Sequence, residues 1–175
     1  MPGTVFLTGE NINLRTIEKE DIGFLRDGVN HPEVRVHTGN ERPQNLENEE
    51  EFFEHITENG DEVHFLICKD SKAMGVVSLI EKEQPAKIAK TGIWLHPKFH
   101  GKGYGTEAIE ILIEHAFNQL NYSKIYARAH EHNKASQRIW EKLGFEKEGE
   151  LRNHVYLQGE HKNLIYYGLL KGERK

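Results

Sequence analysis

Residues 100–108 read His-Gly-Lys-Gly-Tyr-Gly-Thr-Glu-Ala, and a run with helical apolar spacing follows at once. Glycine at 101, 103 and 105 strips side chains from a loop that enters a helix. Without Cβ atoms the backbone can take positive φ and approach a ligand closely. The unpaired N–H groups of the first helical turn then face the same space, at the positive end of the helix dipole. Phosphate or pyrophosphate is the usual occupant of such a place. The loop therefore predicts an anion site formed by Gly101, Lys102, Gly103, Tyr104, Gly105 and Thr106, with His100 capping or neutralising its edge. A Walker A loop is excluded because Lys102 is followed by Gly103 rather than Ser or Thr. A dinucleotide fingerprint is excluded because Gly101-x-Gly103-x-Gly105 is one residue short of it. A glycine-rich helix cap with no ligand is the plain alternative.

Other chemistry-bearing residues form weaker patterns. The chain has 11 histidines, of which His130-x-His132 and His96-x-x-x-His100 are the tightest pairs. Neither stands in an H-E-x-x-H or C-x-x-C frame, so no metal site is expected. Cys68 is the single cysteine and lies in the apolar run Phe65-Leu66-Ile67-Cys68. An internal disulfide is thus impossible, and a reducing compartment, the cytoplasm, is the expectation. The acidic run Glu47, Glu49, Glu50, Glu51 and Glu54 reads as a solvated helix face or as a guide for a cationic partner.

At 175 residues, 37% hydrophobic and 29% charged, the chain fits one compact domain over residues 1–175. A net charge of −5 argues against nucleic acid as a partner. No apolar stretch approaches 18 residues and no signal-peptide pattern opens the chain, so no membrane is expected.

These residues need elements to hold them. Val5 to Ile17 reads as a strand with a turn near Gly9-Glu10-Asn11, and Glu18 to Val29 as a short helix. His31 to Leu46 contains two prolines and reads as irregular. Asn48 to Glu58 reads as a helix with Phe52, Phe53 and Ile56 on its apolar side. Val63–Lys69 and Ala73–Glu81 read as a hairpin turning at Asp70-Ser71-Lys72, and Lys87 to Leu95 as a further strand stopped by Pro97. Tyr104 to Leu120 is the clearest helix, with Ala108, Ile109, Leu112, Ile113, Ala116, Phe117 and Leu120 in its stripe and Glu107, Glu110 and Glu114 facing away. Lys124 to His130 is a strand. Asn133 then caps a helix carrying Ala135, Ile139, Trp140 and Leu143, which Gly144 closes. Leu151 to Leu170 reads as a last hairpin with Gln158-Gly159 at its turn. The order predicts an α+β domain on a mainly antiparallel sheet.

Gly103 and Gly105 fit the loop pattern [QR]-x-x-G-x-[GA] of the GNAT N-acetyltransferases, with His100 in place of Gln or Arg. A second signature, Asn133-Lys-Ala-Ser136-Gln-Arg-Ile-Trp140-Glu-Lys-Leu-Gly144-Phe145, resembles the family's N-x-x-[AS]-x-x-x-[Y]-x-x-x-G-F. Asn13-Leu14-Arg15 with Glu20-Asp21, and Tyr156 to Ile165, look like the ribosomal-protein (Rim-type) and spermidine acetyltransferase branch. The resemblance implies a mixed, mainly antiparallel sheet of six to seven strands splayed at its centre, flanked by about four helices. It also implies acetyl-CoA as cosubstrate, an amine acceptor and a possible homodimer. On that resemblance, the pantetheine arm would lie along Ile93-Trp94-Leu95 as an added strand does. An N–H near Leu95 would stabilise the oxyanion. Asn133 would meet the arm near its sulfur end, and Trp140 would line the same site.

Two positions depart from the resembled pattern. Lys90 stands where the family often places a Glu base, and Trp140 where it often places a Tyr acid. Ser136 becomes the candidate at the thiol end and Glu131 the candidate base. A lysine or polyamine nitrogen has a pKa near 10.4 and an α-amine about 7.7–8.0, so neutralising them at pH 7 costs roughly 4.6 and about 1–1.4 kcal/mol. A site with no strong base suits the α-amine of a peptide, protein or small molecule. A polyamine or antibiotic acceptor, a CoA-binding sensor without activity, and a nucleotide-binding module remain as alternatives.

Overall fold

The computed structural model of the chain describes residues 3–83 and 85–174, with backbone alone at 81–83. One eight-stranded sheet runs in the order β1-β2-β3-β4-β5-β6-β8-β7. Its strands are β1 (Val5–Thr8), β2 (Asn13–Arg15), β3 (Glu62–Lys69), β4 (Lys72–Glu83), β5 (Ile88–Leu95), β6 (Lys124–His130), β7 (Glu146–Leu157) and β8 (Glu160–Leu170). The helices are α1 (Ile22–Asn30), α2 (Pro32–Thr38), α3 (Leu46–Glu58), α4 (Tyr104–Asn118) and α5 (Lys134–Lys142). All neighbouring strands pair antiparallel except β5 and β6, which are parallel and joined through α4. This is the α+β architecture on a mainly antiparallel sheet that the element order predicts, and the mixed sheet that the resemblance implies.

Burial on both faces explains the apolar run in β3. Phe65 and Ile67 join the core under α4, while Leu66 and Cys68 join a second core under α1 and α3. A strand covered on both faces has no polar side to alternate with. The hairpin from β3 to β4 turns on Asp70 and Ser71 at φ 48° and 63°. Two consecutive left-handed residues match the twist of the flanking strands.

Several elements differ from the sequence reading. Segment 31–46, read as irregular, contains α2. Pro32 begins that helix, where its missing N–H costs nothing, and the His31 ring accepts the Glu33 amide at 3.3 Å. The turn read near Gly9-Glu10-Asn11 divides the Val5–Ile17 segment into two strands, β1 and β2, folded on each other. That division, together with α2, gives eight strands and five α-helices among the described residues where six to seven and about four were expected. The last hairpin starts at Glu146, five residues before Leu151. Its first strand is the exposed sheet edge, where charges replace apolar alternation. Glu107, expected to face away, clamps the turn after β1: its carboxylate accepts the Asn11 amide at 2.7 Å and the Ile12 amide at 3.3 Å.

The functional consequence of the sheet lies at its centre. Parallel pairing of β5 and β6 covers only Ile88–Lys124, Ala89–Ile125 and Lys90–Tyr126. Beyond Lys90 the two strands part. No helix among the described residues is long and apolar enough to cross a membrane.

Candidate active site

A cleft of about 960 Å³ opens where β5 and β6 separate. Its floor is the free edge of β5. The His96 amide bonds to the Met74 carbonyl at 2.9 Å, which fixes the strand's two-residue alternation. Trp94 and Gly92 therefore bond toward β4, and the backbone groups of Ile93 and Leu95 point into the gap. An extended ligand can pair with that edge as a strand would.

The glycine loop closes one end. Gly101 and Gly103 sit at φ 72° and 83°, and a Cβ at either would enter open space. Those open volumes are the approach route that the glycines leave to a ligand. No acceptor among the described residues takes the amides of 101–106, and no side chain caps α4 at Gly103. Gly101, Gly103, Tyr104, Gly105 and Thr106 thus bring unpaired amides and the positive end of α4 to the cleft, as a pyrophosphate requires. The His100 ring lines the cleft with its Nε2 engaged: it donates to the Leu95 carbonyl at 2.8 Å and ties the loop to the end of β5. Lys102 reaches back to the Lys98 carbonyl at 3.0 Å and does not line the cleft.

Helix α5 supplies the opposite wall. The Asn133 side chain accepts the Ser136 amide at 3.1 Å, so it works as the helix cap while lining the cleft. Ser136 is one turn into the helix and lines the cleft, and its hydroxyl has no partner among the described residues. Trp140 is 2% exposed and packs on Phe145 at 5.3 Å. Its indole Nε1 is buried with no acceptor among the described residues. Arg138 and Lys142, four residues apart, add positive charge to this wall.

Helices α1, α2 and α3 form the third side. Trp94 stacks on Phe24 at 5.7 Å, and Gly28 passes so close that a Cβ there would lie 2.3 Å from the indole. At the rim His37 stacks on His132 at 5.5 Å, and His132 on His130 at 5.6 Å. Burial, then the neighbouring imidazoles, hold His37 and His130 below the ordinary histidine pKa. Glu49 also faces the cleft; burial raises its carboxyl above the usual carboxylate range.

Residues 93–95, 100–101 and 103–106 line this one cleft together with Asn133, Ser136, Trp140 and Lys90. Glu131 does not join them. Its carboxylate accepts the Asn163 amide at 2.9 Å and fastens the end of β6 to β8. Sequence reasoning missed Glu49, His37, His130 and Arg138 as lining residues. The i, i+4 pair of Arg138 and Lys142 behind Asn133 was the one signal available for the last of these. Among the described residues no three His, Cys, Asp or Glu side chains are placed to hold a metal ion.

Comparison with known proteins agrees with this geometry. The family described as Acetyltransferase (GNAT) domain matches residues 11–146. A spermidine N(1)-acetyltransferase of Escherichia coli is 26% identical over 158 residues, covering 90% of this chain and 85% of that protein. A putative ribosomal N-acetyltransferase of Bacillus subtilis is 36% identical over 104 residues, covering 59% of this chain and 57% of the other. The crystal structure of a Vibrio cholerae spermidine N-acetyltransferase with CoA and spermine superposes with a TM-score of 0.88. That pair shares 23% identity and covers 94% of this chain and 98% of the other, a likeness of fold.

Proposed function

The chain belongs to the GNAT acetyltransferase family, and we propose that it moves an acetyl group from acetyl-CoA to the α-amine of a peptide, protein or small molecule. One observation carries the reading: the unpaired amides of 101 and 103–106 and the free edge of β5 meet in a single cleft. Acetyl-CoA has the matching parts, a pyrophosphate, an arm rich in amides and a thioester.

The roles follow from position. The loop amides hold the pyrophosphate. Ile93 and Leu95 pair with the arm, and a backbone N–H at this end of β5 receives the charge that forms on the thioester oxygen. The amine nitrogen bonds to the acetyl carbon, the C–S bond breaks, the nitrogen sheds one proton to solvent, and the thiolate takes one. Ser136, with its free hydroxyl at the start of α5, is placed to give that proton and recover one from solvent. Glu131 is occupied by β8, so no base is assigned to it. An acceptor that enters already neutral needs no base before attack, its remaining surplus proton leaving to solvent afterwards, and an α-amine reaches the neutral state at a cost of about 1–1.4 kcal/mol at pH 7.

Thiol release from acetyl-CoA, followed over N-terminal peptides, small α-amines and polyamines, tests the proposal. Turnover on α-amines is expected. Turnover on polyamines alone overturns the acceptor assignment. Tight CoA binding with no thiol release from any amine overturns transfer itself and leaves a sensor.

A further inference from the structure

The acidic run in α3 is solvent-facing with one exception. Glu47, Glu50, Glu51 and Glu54 are exposed, whereas Glu49 is 6% exposed and opens onto the cleft. No hydrogen bond or ion pair reaches its carboxylate among the described residues. Leu25 and Val29 of α1, Val34 of α2 and Phe52 of α3 line the same cleft. A lone buried carboxylate is costly, because burial penalises its charge and nothing nearby repays the loss. Such a cost is relieved when a cation arrives from outside.

The position within the sheet says which cation. The Phe52 ring meets the His64 ring of β3 at 5.4 Å, which sets this turn of α3 over β3. The His64–Ser78–Gly92 register then leads across to β5. Two strand spacings separate β3 from β5, roughly 10 Å at about 4.8 Å each. Helix α3, which carries Glu49, packs on β3, two strands away from the β5 edge where the thioester carbonyl would lie. His64, which lines the cleft with Glu33 and His37, is engaged with Glu62 at 2.8 Å.

We propose that Glu49 anchors the acceptor through a second cationic nitrogen, distinct from the one that is acetylated. The acceptor is then a dication: a peptide or small α-amine that carries a second basic group, with a diamine as the outcome that would displace the α-amine assignment. This rests on the transferase reading given above and adds the charge pattern of its acceptor. It also assigns the burial of one glutamate among five to substrate selection rather than to stability.

The test compares acceptors that differ by one cation at the same chain length, using the full chain and acetyl-CoA. Thiol release is measured for 1,5-diaminopentane against n-pentylamine, and for Ser-Lys-amide against Ser-norleucine-amide. The dication of at least one pair is expected to show a kcat/KM about tenfold to a hundredfold higher, the range of a charged hydrogen bond. The pair that shows it tells a diamine from a peptide. Glu49→Gln is expected to collapse the ratio toward one, chiefly by raising KM for the dication, while Glu49→Asp retains part of it. Equal kcat/KM within both pairs for the wild-type chain overturns the proposal whether or not the variants fold. An unchanged ratio in Glu49→Gln, or a fall in kcat shared equally by both members of a pair, overturns it too. Absence of thiol release from all four amines, with CoA still bound, instead refutes the transferase reading.

Discussion

The Nε2 of His100 lies 2.8 Å from the carbonyl oxygen of Leu95. The bond joins the two parts of the site that must keep a fixed separation, the anion loop and the free edge of β5. Its Nε2 must carry the proton, since a carbonyl only accepts.

His100→Ala therefore acts on cosubstrate geometry rather than on the acceptor. Loss of one such bond is worth about 0.5–1.5 kcal/mol, so KM for acetyl-CoA is expected to rise roughly twofold to tenfold. KM for the amine should stay near the wild-type value. Steady-state kinetics with each substrate varied in turn checks the split.

Gly28→Ala reverses an ordinary expectation. Alanine in a helix interior normally gains about 1 kcal/mol over glycine. Here the new Cβ meets the Trp94 indole at 2.3 Å, and Trp94 is wedged against Phe24. The variant is expected to lose about 1–3 kcal/mol, the usual cost of overpacking. Urea denaturation supplies the measurement, and a stabilised variant contradicts the packing described.

Ser136→Ala separates chemistry from capping. The Asn133 side chain bonds to the Ser136 amide, which the substitution keeps. Stability should change by less than about 0.5 kcal/mol. If the hydroxyl protonates the leaving thiolate, kcat falls by about a hundredfold or more with KM for acetyl-CoA little altered. An unchanged kcat removes Ser136 from the reaction.

Acid should weaken the fold before it protonates most carboxylates. His37 and His130 sit below the ordinary histidine pKa, mainly through burial. In the unfolded chain they titrate near 6.5. As pH falls through that value the unfolded state gains protons that the folded state refuses, so stability drops. Each group contributes at most about 1.4 kcal/mol per pH unit within its window. Glu49 works in the opposite sense, because its raised pKa favours the folded state as pH falls toward the carboxylate range. His64, His96 and His115 are lowered in the same sense, so the histidines outweigh one carboxyl and give a net loss. Thermal midpoints recorded between pH 7.5 and 5.5 should decline, and the decline should flatten in His37→Asn. Above about pH 7.5 the variant and wild type should show no difference in slope.

Much of this was readable from residue order, for reasons that differ by element. The glycine loop and α4 were legible because backbone freedom and a 3.6-residue stripe are written in residue types. Asn133 was legible as a cap for the same reason. Helix α2 was not, since Pro32 breaks a helix from inside and starts one from its first position, and only the structure tells which. Glu107 and Glu131 resembled ordinary surface carboxylates, and their partners lie far off in sequence, at Asn11 and Asn163. Glu49 was hidden by its own neighbours. A run of glutamates reads as one solvated face, and the helix rotation that turns one of them inward is set by Phe52 and Phe53 packing on the sheet.

The three residue pairs that join β5 to β6 make the sheet two leaves bound along a short spine. A molecule seated between the leaves touches both and acts as the missing stitching. Amides near residues 91–95 and 127–130 should then exchange with deuterium faster in the empty protein than with coenzyme present, and the slowing should be confined to this seam. The same half-open binding that admits a ligand makes the enzyme's stiffness depend on what it is carrying.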